Sequence, residues 1–243
     1  MKKFLDRIVA GRELGEYLPA YAGRKDVVVL ALPRGGVPVG IEVAKALKAP
    51  LDIFLVRKLG VPDYEELALG AIASGGVCVM NEEIVVGSGV TELEISEVVA
   101  WEQRELKRRE RMYRGDRPHR DLKGVTVILV DDGLATGASM RAAVSAVRTR
   151  RPARIVVAVP TASPEACALI KKEADEIVCV ITPKPFFAVG AWYDDFSQTS
   201  DEEVCRLLKE MEELVSSDKS HKVAARSHAT KRSVDSSDQT HAG

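Results

Sequence analysis

The stretch VILVDDGLATGAS, residues 127–139, decides the fold. It opens with a short apolar run typical of a strand that is buried on both faces. Asp131 and Asp132 follow directly, then a loop of small residues, and a helix is predicted to begin near Ser139. In α/β folds, ligands bind at this carboxyl edge of a parallel strand. A strand, a turn and a capped helix alone would explain Asp132 followed by Gly133, but not two acids followed by Thr-Gly-x-Ser.

The loop after the two acids has the residues of an anion site. Its backbone N–H groups and the helix N-terminus attract negative charge. Gly133 and Gly137 allow a phosphate to approach the backbone because no Cβ intervenes, and Thr136 and Ser139 supply hydroxyl donors. The acids would repel a phosphate, so we expect them to meet the neighbouring hydroxyls of a ribose or a Mg²⁺ ion. No Gly-Lys-Ser/Thr ending is present, which excludes a P-loop.

Short apolar runs alternate with helical periodicity along the chain. The runs occupy residues 27–32, 51–56, 125–130, 155–159 and 177–181. Helical periodicity covers residues 4–21, 37–47, 139–150 and 164–173. This alternation predicts an α/β fold, with a parallel sheet of about five strands and helices on both faces.

An insertion is predicted at about residues 67–120, between the second and third runs. The glycines of Ser74-Gly75-Gly76 indicate a hairpin. Residues 91–114 are predicted to form a long charged helix, because Thr91 and Glu94 form a capping box and acids precede bases along it. This helix could be an arm for phosphate or a partner, or a solvated helix packed on the body through an apolar stripe. The caps and the stripe favour the packed helix.

Charge, hydropathy and cysteine spacing indicate which classes of protein the sequence does not fit. The 243 residues carry 35 Lys and Arg against 36 Asp and Glu, a net charge of -1, which argues against a protein that coats nucleic acid. No apolar run reaches the roughly 18 residues of a membrane span, and the charges in residues 1–7 argue against a signal peptide, so we expect a cytoplasmic protein. The cysteines lie far apart in sequence and are expected to be small core residues: Cys78, Cys167, Cys179 and Cys205.

The composition changes from about residue 216. Residues 216–243 contain seven serines and no aromatic residue, and cannot bury enough surface to offset their ordering entropy. We therefore predict a folded domain over residues 1–215 and a disordered tail. His221, His228 and His241 lie in this tail at a spacing too loose to favour a metal site.

Residues 127–139 closely resemble the phosphoribosyl-diphosphate (PRPP) motif of the type I phosphoribosyltransferases. The resemblance implies that Asp131 and Asp132 hold the ribose hydroxyls of PRPP. It implies a cofactor, Mg²⁺, which PRPP itself holds near these acids and Asp194. It also assigns the 5′-phosphate to one continuous loop: Gly133, Leu134, Ala135, Thr136, Gly137, Ala138 and Ser139.

Three further stretches resemble parts of the same family. The resemblance implies a pyrophosphate loop with a strained or cis peptide, formed by Arg34, Gly35 and Gly36. It implies a mobile loop over residues 60–66, opened by two basic residues, Arg57 and Lys58. It implies an acceptor hood over about residues 183–199, with side chains from Phe187, Trp192, Tyr193 and Asp194. Each stretch alone also fits a glycine turn, ordinary surface charges or an aromatic cluster that closes the core.

The implied activity is transfer of a 5-phosphoribosyl group from PRPP to a nitrogenous acceptor, by an enzyme of nucleotide metabolism that is expected to be a homo-oligomer. No catalytic residue is identified. Ala135 stands where purine enzymes usually carry an acid, and residues 159–162 lack their lysine, so we predict poor turnover of hypoxanthine and guanine. The alternative is a non-catalytic regulator that binds PRPP or a nucleotide. The balanced charge and the missing DNA-binding motif weigh against this alternative.

Overall fold

The structure, a computed structural model, describes residues 2–62 and 64–214. The strands in this part of the chain are β1 (Val27–Ala31), β2 (Leu51–Ile53), β3 (Val56–Val61), β4 (Tyr64–Ala73), β5 (Val77–Met80), β6 (Thr126–Val130), β7 (Arg154–Thr161) and β8 (Glu176–Ile181). The helices are α1 (Arg7–Glu16), α2 (Gly36–Leu47), α3 (Glu82–Ser88), α4 (Glu92–Arg114), α5 (Ala138–Thr149) and α6 (Pro164–Ile170). Residues 201–214 are also helical.

The central sheet has five parallel strands in the order β2-β1-β6-β7-β8, which confirms the predicted fold class. From β1 the chain proceeds to β2 on one side, and from β6 it proceeds to β7 on the other. The connections therefore diverge between the carboxyl ends of β1 and β6, where Ala31 and Val130 are paired. Such a divergence leaves a crevice at which open α/β sheets bind ligands.

Both faces of the central sheet are covered by helices. Val127 and Leu129 of β6 belong to one core cluster with α5 and α6, and neither side chain is exposed. Because side chains alternate along a strand, Ile128 points to the opposite face, which α1 and α2 cover. On that face α2 lies close to β1: a Cβ at Gly40 would come within 2.7 Å of the Ala31 Cβ.

A second, antiparallel sheet in the order β3-β4-β5 corrects the prediction for residues 51–66. The second strand of the central sheet ends at Ile53, and the chain then enters β3. Within residues 60–66, which are predicted to form a mobile loop, Val61 pairs with Tyr64, and residue 63 lies outside the described residues. Closure of this segment over the site stays a prediction. The loop was expected from the family resemblance, whereas pairing with the long strand β4 and burial of Val61 extend β3 to residue 61. The register shifts beside Gly60 accommodate the irregularity.

The hairpin and the long helix predicted within the insertion are confirmed. β4 and β5 form the hairpin, and the capping box of Thr91 and Glu94 begins α4. Leu106 and Tyr113 of its apolar stripe are buried, which supports the packed helix over the extended arm. At its end Arg114 donates through Nη1 to Asp52, at 2.8 Å. The short helix α3 was not predicted.

Backbone contacts divide the chain into a unit over Met1–Val204 and a unit over Cys205–Gly243. The predicted tail at 216–243 lies outside the described residues and stays a prediction. Among the cysteines only Cys167 is buried, and Cys78 is exposed, so the expectation of four core thiols was wrong. No described helix is long and apolar enough to cross a membrane.

Candidate functional site

The two acids lie directly after β6, at the divergence between β1 and β6. The Asp132 N–H donates to Asp131 Oδ1 at 2.9 Å, which orients the first carboxylate. Burial, and after it the charge of Asp132, raise the pKa of Asp131 well above its usual range. Burial also raises the pKa of Asp132, although Arg7 opposes that rise. Burial therefore favours the uncharged form of both carboxyl groups, and hydroxyl donors or a cation from a bound ligand would favour their charged form.

The predicted pyrophosphate loop packs directly against these acids. The Leu32 N–H donates to Val130 O at 2.9 Å and continues the pairing of β1 with β6. A Cβ at Gly35 would lie 2.0 Å from Asp132 Oδ2, and a Cβ at Gly36 would lie 2.9 Å from the Asp131 Cα. At Gly36 the neighbouring backbone leaves no room for a Cβ, and at Gly35 a Cβ would displace the Asp132 carboxyl group. The Pro33–Arg34 peptide is cis, as the family resemblance implied.

Arg34, the basic residue of this loop, has a partner that the sequence did not indicate. Its Nη1 lies 3.8 Å from the Asp201 carboxylate, and that carboxylate also accepts a hydrogen bond from the hydroxyl of Tyr113. Burial, followed by this bond, raises the pKa of Tyr113. Since Asp201 follows the hood in sequence, the contact joins distant parts of the chain beside the crevice.

The predicted phosphate loop leads from the acids into α5. Leu134 is buried, and its N–H donates to Thr161 O at 3.0 Å. Ser163 donates through its hydroxyl to Ala135 O at 2.7 Å, which fixes the loop from below. Gly137 adopts a φ of +76°, a conformation that glycine tolerates readily, and caps α5. The first N–H groups of an α-helix have no partner within the helix, so this end of the loop offers donors to an anion.

Arg7, at the start of α1, is a site residue that sequence reasoning missed. Its Nε lies 2.8 Å from Asp132 Oδ2, and the two side chains are 11% and 15% exposed. Its Nη1 donates to Ser197 O at 2.7 Å, and its guanidinium carbon lies 3.9 Å from the ring centroid of Phe196. The residue therefore connects one of the acids to the hood. A lone arginine in an N-terminal helix carries no sequence signal for such a contact.

The hood is closed by an aromatic cluster and by the N-terminal segment. Phe4 exchanges backbone hydrogen bonds with the hood, donating to Trp192 O and accepting from the Asp194 N–H, each at 2.9 Å. Tyr193 packs on Phe4 and donates its hydroxyl to Asp132 O at 2.6 Å. Burial raises the pKa of Tyr193. Trp192 and Tyr193 therefore belong to an aromatic cluster that closes the core.

Of the aromatic residues assigned to the acceptor hood, only Phe187 presents an open ring. Trp192 and Tyr193 are 7% and 3% exposed, so their rings are already covered, whereas Phe187 is 84% exposed and keeps its faces open. Asp194 is also exposed. Gly133 is held under the hood, since a Cβ there would lie 2.5 Å from Val189 Cγ1.

The two basic residues predicted to open a mobile loop lie in β3 instead. Arg57 forms an ion pair with Glu102 of α4, with Nε and Oε2 at 2.5 Å. Both basic residues line a groove of about 860 Å³ between β3 and α4, together with Trp101. Asp131 and Asp132 do not line this groove. The predicted role of Arg57 and Lys58 in covering a bound ligand therefore stays a prediction.

Among the described residues, the site offers a divalent cation two neighbouring carboxyl groups, those of Asp131 and Asp132. Across the described residues, no group of three or more His, Cys, Asp or Glu side chains could hold a metal ion. Mg²⁺ in phosphate-ester sites usually takes one or two protein carboxylates and completes its shell with waters and phosphate oxygens. Asp131 and Asp132 could supply that share. The crevice thus combines acceptors for hydroxyls, donors for an anion and carboxylates for a cation bound by the ligand.

Comparisons with known proteins agree with this geometry. A family model described as the phosphoribosyl transferase domain matches residues 7–195. Two proteins of Mycobacterium tuberculosis, from strains CDC 1551 and H37Rv, carry the name "Putative phosphoribosyl transferase". Each is 47% identical over 208 residues, which make up 86% of this chain and 47% of the relative. The chain thus spans about half the length of the curated relatives it matches.

A solved structure is similar over nearly its whole length. The crystal structure of the protein TT1426 from Thermus thermophilus aligns with a TM-score of 0.78 and 45% sequence identity. The alignment covers 87% of this chain and 99% of that protein.

Proposed function

The chain belongs to the phosphoribosyl transferase family, and from that premise we propose that it transfers a 5-phosphoribosyl group from PRPP to a nitrogenous acceptor with release of pyrophosphate. The observation that carries the proposal is the contact of three segments at one crevice. The acids follow β6, Gly35 and Gly36 pack against them, and the loop into α5 begins immediately after them. This juxtaposition supports binding of a ribose whose phosphate and pyrophosphate lie on opposite sides.

Each segment has one task in this proposal. The donors of residues 133–139 bind the 5′-phosphate, and Asp131 and Asp132 accept hydrogen bonds from the ribose hydroxyls. The backbone of Gly35 and Gly36 orients the pyrophosphate. Departure of pyrophosphate leaves positive charge on the ribose, and the nearby carboxylates stabilise that charge electrostatically. Since no side chain needs to form a covalent intermediate, catalysis consists of positioning and charge stabilisation.

Mg²⁺ bound with PRPP would offset the charge on the leaving pyrophosphate. The two acids are the described residues best placed to share this ion, and we extend the proposal to the exposed Asp194 at the hood. The remaining chemistry belongs to the chain: Arg7 holds one Asp132 oxygen, and Tyr193 holds its backbone carbonyl. These contacts fix the acid before PRPP binds.

The acceptor is proposed to enter beside the hood. Phe187 offers an open aromatic face there, and Ala135 of the phosphate loop is exposed but has no acid or base. These features support an acceptor that needs no proton transfer from that position. We also propose that the protein works in the cytoplasm as a homo-oligomer.

The test is pyrophosphate release from PRPP and MgCl₂ with a panel of adenine, hypoxanthine, guanine, uracil, orotate and small amines. We expect release with at least one acceptor. A double variant, Asp131→Asn with Asp132→Asn, should bind PRPP at least about tenfold more weakly in calorimetry, because charged hydrogen bonds are lost. Asp116→Asn, at an exposed position, is the matched control. PRPP binding without release would favour the regulator, and unchanged affinity in the double variant would contradict the proposed site.

A further inference from the structure

Two cysteines that are 12 positions apart meet beside the helix that supports the phosphate loop. Cys167 lies in α6 and Cys179 lies in β8, and their Sγ atoms are 3.4 Å apart. Both side chains belong to one apolar layer, in which Cys167 is buried and Cys179 packs against the cluster from the sheet. A disulfide S–S bond is about 2.05 Å long, so closing the pair requires the sulfurs to approach by about 1.4 Å. A small rotation of two side chains is of this order.

The pair lies at a cleft that a small reagent could enter. The cleft has a volume of about 420 Å³ and is lined by both cysteines and by Lys171, Ile177 and Thr182. β8 is the edge strand of the central sheet, so no further described strand of that sheet covers this side. The exposed thiol of Cys78, by contrast, contacts the sulfur of Met80 in its own strand.

The two thiols differ in their readiness to react. The hydrogen bond shared with Cys179 and the charge of Lys171 lower the pKa of Cys167 to about 7. The same hydrogen bond, followed by burial, raises the pKa of Cys179. A thiolate is the nucleophile in sulfur chemistry, so Cys167 attacks and Cys179 is the resolving partner.

We propose that Cys167 and Cys179 form an oxidisable dithiol that closes to a disulfide when a peroxide enters the cleft. The Cys167 thiolate attacks one oxygen of hydrogen peroxide, which breaks the O–O bond, forms an S–O bond and releases hydroxide. Cys179 then attacks the resulting sulfenic acid, which forms the S–S bond and releases the sulfenic oxygen as water once the Cys179 proton is counted. In total, two thiols and one peroxide give one disulfide and two waters.

The disulfide would link α6 to β8 at the edge of the sheet, and α6 contacts the phosphate loop. Ser163, the N-cap of α6, accepts a hydrogen bond from the Ala166 N–H and donates one to Ala135 O in the phosphate loop. A Cβ at Gly137 would lie 3.4 Å from the Ala166 Cβ, so the helix also supports the far end of that loop. The disulfide therefore lies one layer below the proposed 5′-phosphate site, and its formation does not depend on PRPP binding.

The experiment treats the full chain with a small excess of hydrogen peroxide and measures the intact mass and the linked peptides. We expect a mass lower by two hydrogens, a single 167–179 crosslink, reversal by dithiothreitol, and a Tm higher by at least about 3 °C in the oxidised form. Cys167→Ser should abolish both the crosslink and the rise in Tm, whereas Cys78→Ser should keep both. Sulfinic acid on Cys167 without a crosslink, or a disulfide that involves Cys78 or Cys205, would overturn the proposal. Since the mass is read on the wild-type protein, a variant that fails to fold leaves the test intact.

Discussion

Replacement of Arg7 by methionine tests whether the contact between α1 and Asp132 stabilises the site. Methionine keeps most of the side-chain length but removes the ion pair at 2.8 Å, the bond to Ser197 O at 2.7 Å and the stacking on Phe196. The loss leaves a largely buried carboxylate without its cationic partner. An unpaired buried charge is costly because the desolvation of the remaining group is no longer offset.

The loss of stability in the Arg7→Met variant can be worked out from these contacts. A hydrogen bond to a charged group contributes about 1.5–3 kcal/mol, and a cation–π contact about 0.5–2 kcal/mol. Because part of the site remains solvated, with the Asp132 side chain 15% exposed, we expect the free energy of unfolding to fall by about 2–4 kcal/mol. In a domain of this size each kcal/mol shifts Tm by about 2–4 °C, so Tm should fall by roughly 5–15 °C.

The loss of stability in the Arg7→Met variant should increase with pH. Without Arg7, the pKa of Asp132 in the folded protein rises further above its unfolded value. A raised folded-state pKa contributes stability that is present at low pH and is lost as pH rises through that pKa. The variant should therefore show its largest deficit in urea unfolding at about pH 8 and a smaller one at about pH 5, where Asp132 binds a proton more readily.

Arg12→Met is the matched control in the same helix. Arg12 pairs with Glu42 at 2.9 Å, but its side chain is 67% exposed. The Glu42 carboxylate is largely buried but keeps Lys45 as a second partner at 2.7 Å, so loss of the exposed Arg12 should lower the free energy of unfolding by only about 0–1 kcal/mol. If Arg7→Met were no less stable than Arg12→Met, or if its deficit were equal at both pH values, the reasoning about Arg7 would be refuted.

Three further results are expected. Asp131→Asn should raise the Tm of the ligand-free protein at neutral pH, because burial raises the pKa of this acid and its ionised form costs stability there; PRPP affinity should nevertheless fall at least about tenfold in calorimetry, and an unchanged Tm would count against the burial argument. Gly35→Ala should weaken binding of both PRPP and ribose 5-phosphate, since the new Cβ would lie 2.0 Å from Asp132 Oδ2, whereas Gly87→Ala, with open space around it, should change neither. Hypoxanthine and guanine should give kcat/KM below about 10⁴ M⁻¹s⁻¹, because Ala135 supplies no acid or base. The rate is measured by chromatography of the nucleotide products, and a higher value would contradict the argument from Ala135.

The parts of the site that lie within one short stretch were predictable from sequence. Asp131 and Asp132 follow a buried strand and precede a helix, so their place at the sheet edge follows from local pattern alone. The same holds for Gly35 and Gly36 after β1. Each motif occupies a strand end, and the parallel sheet brings those ends together.

The contacts that the sequence did not indicate join residues far apart in the chain. Arg7 and Asp132 are separated by 125 positions, and no local periodicity indicates that separation. The pairing of β3 with β4 was missed because the family resemblance indicated a loop after Arg57 and Lys58, whereas the strands are held by the burial of Leu59 and its neighbours. Both features depend on tertiary contacts.

The pairing of Phe4 with residues 192–194 has a consequence for the order in which the site is completed during synthesis. Asp131 and Asp132 leave the ribosome about 60 residues before the hood does. At about 5–20 residues per second, this delay is roughly 3–12 s. During that interval Asp132 has Arg7 within the emerged chain, but Tyr193 and the Ser197 carbonyl have not yet been made. The nascent chain therefore carries a complete ribose motif without its cover, and the covered site forms only when both ends of the domain meet.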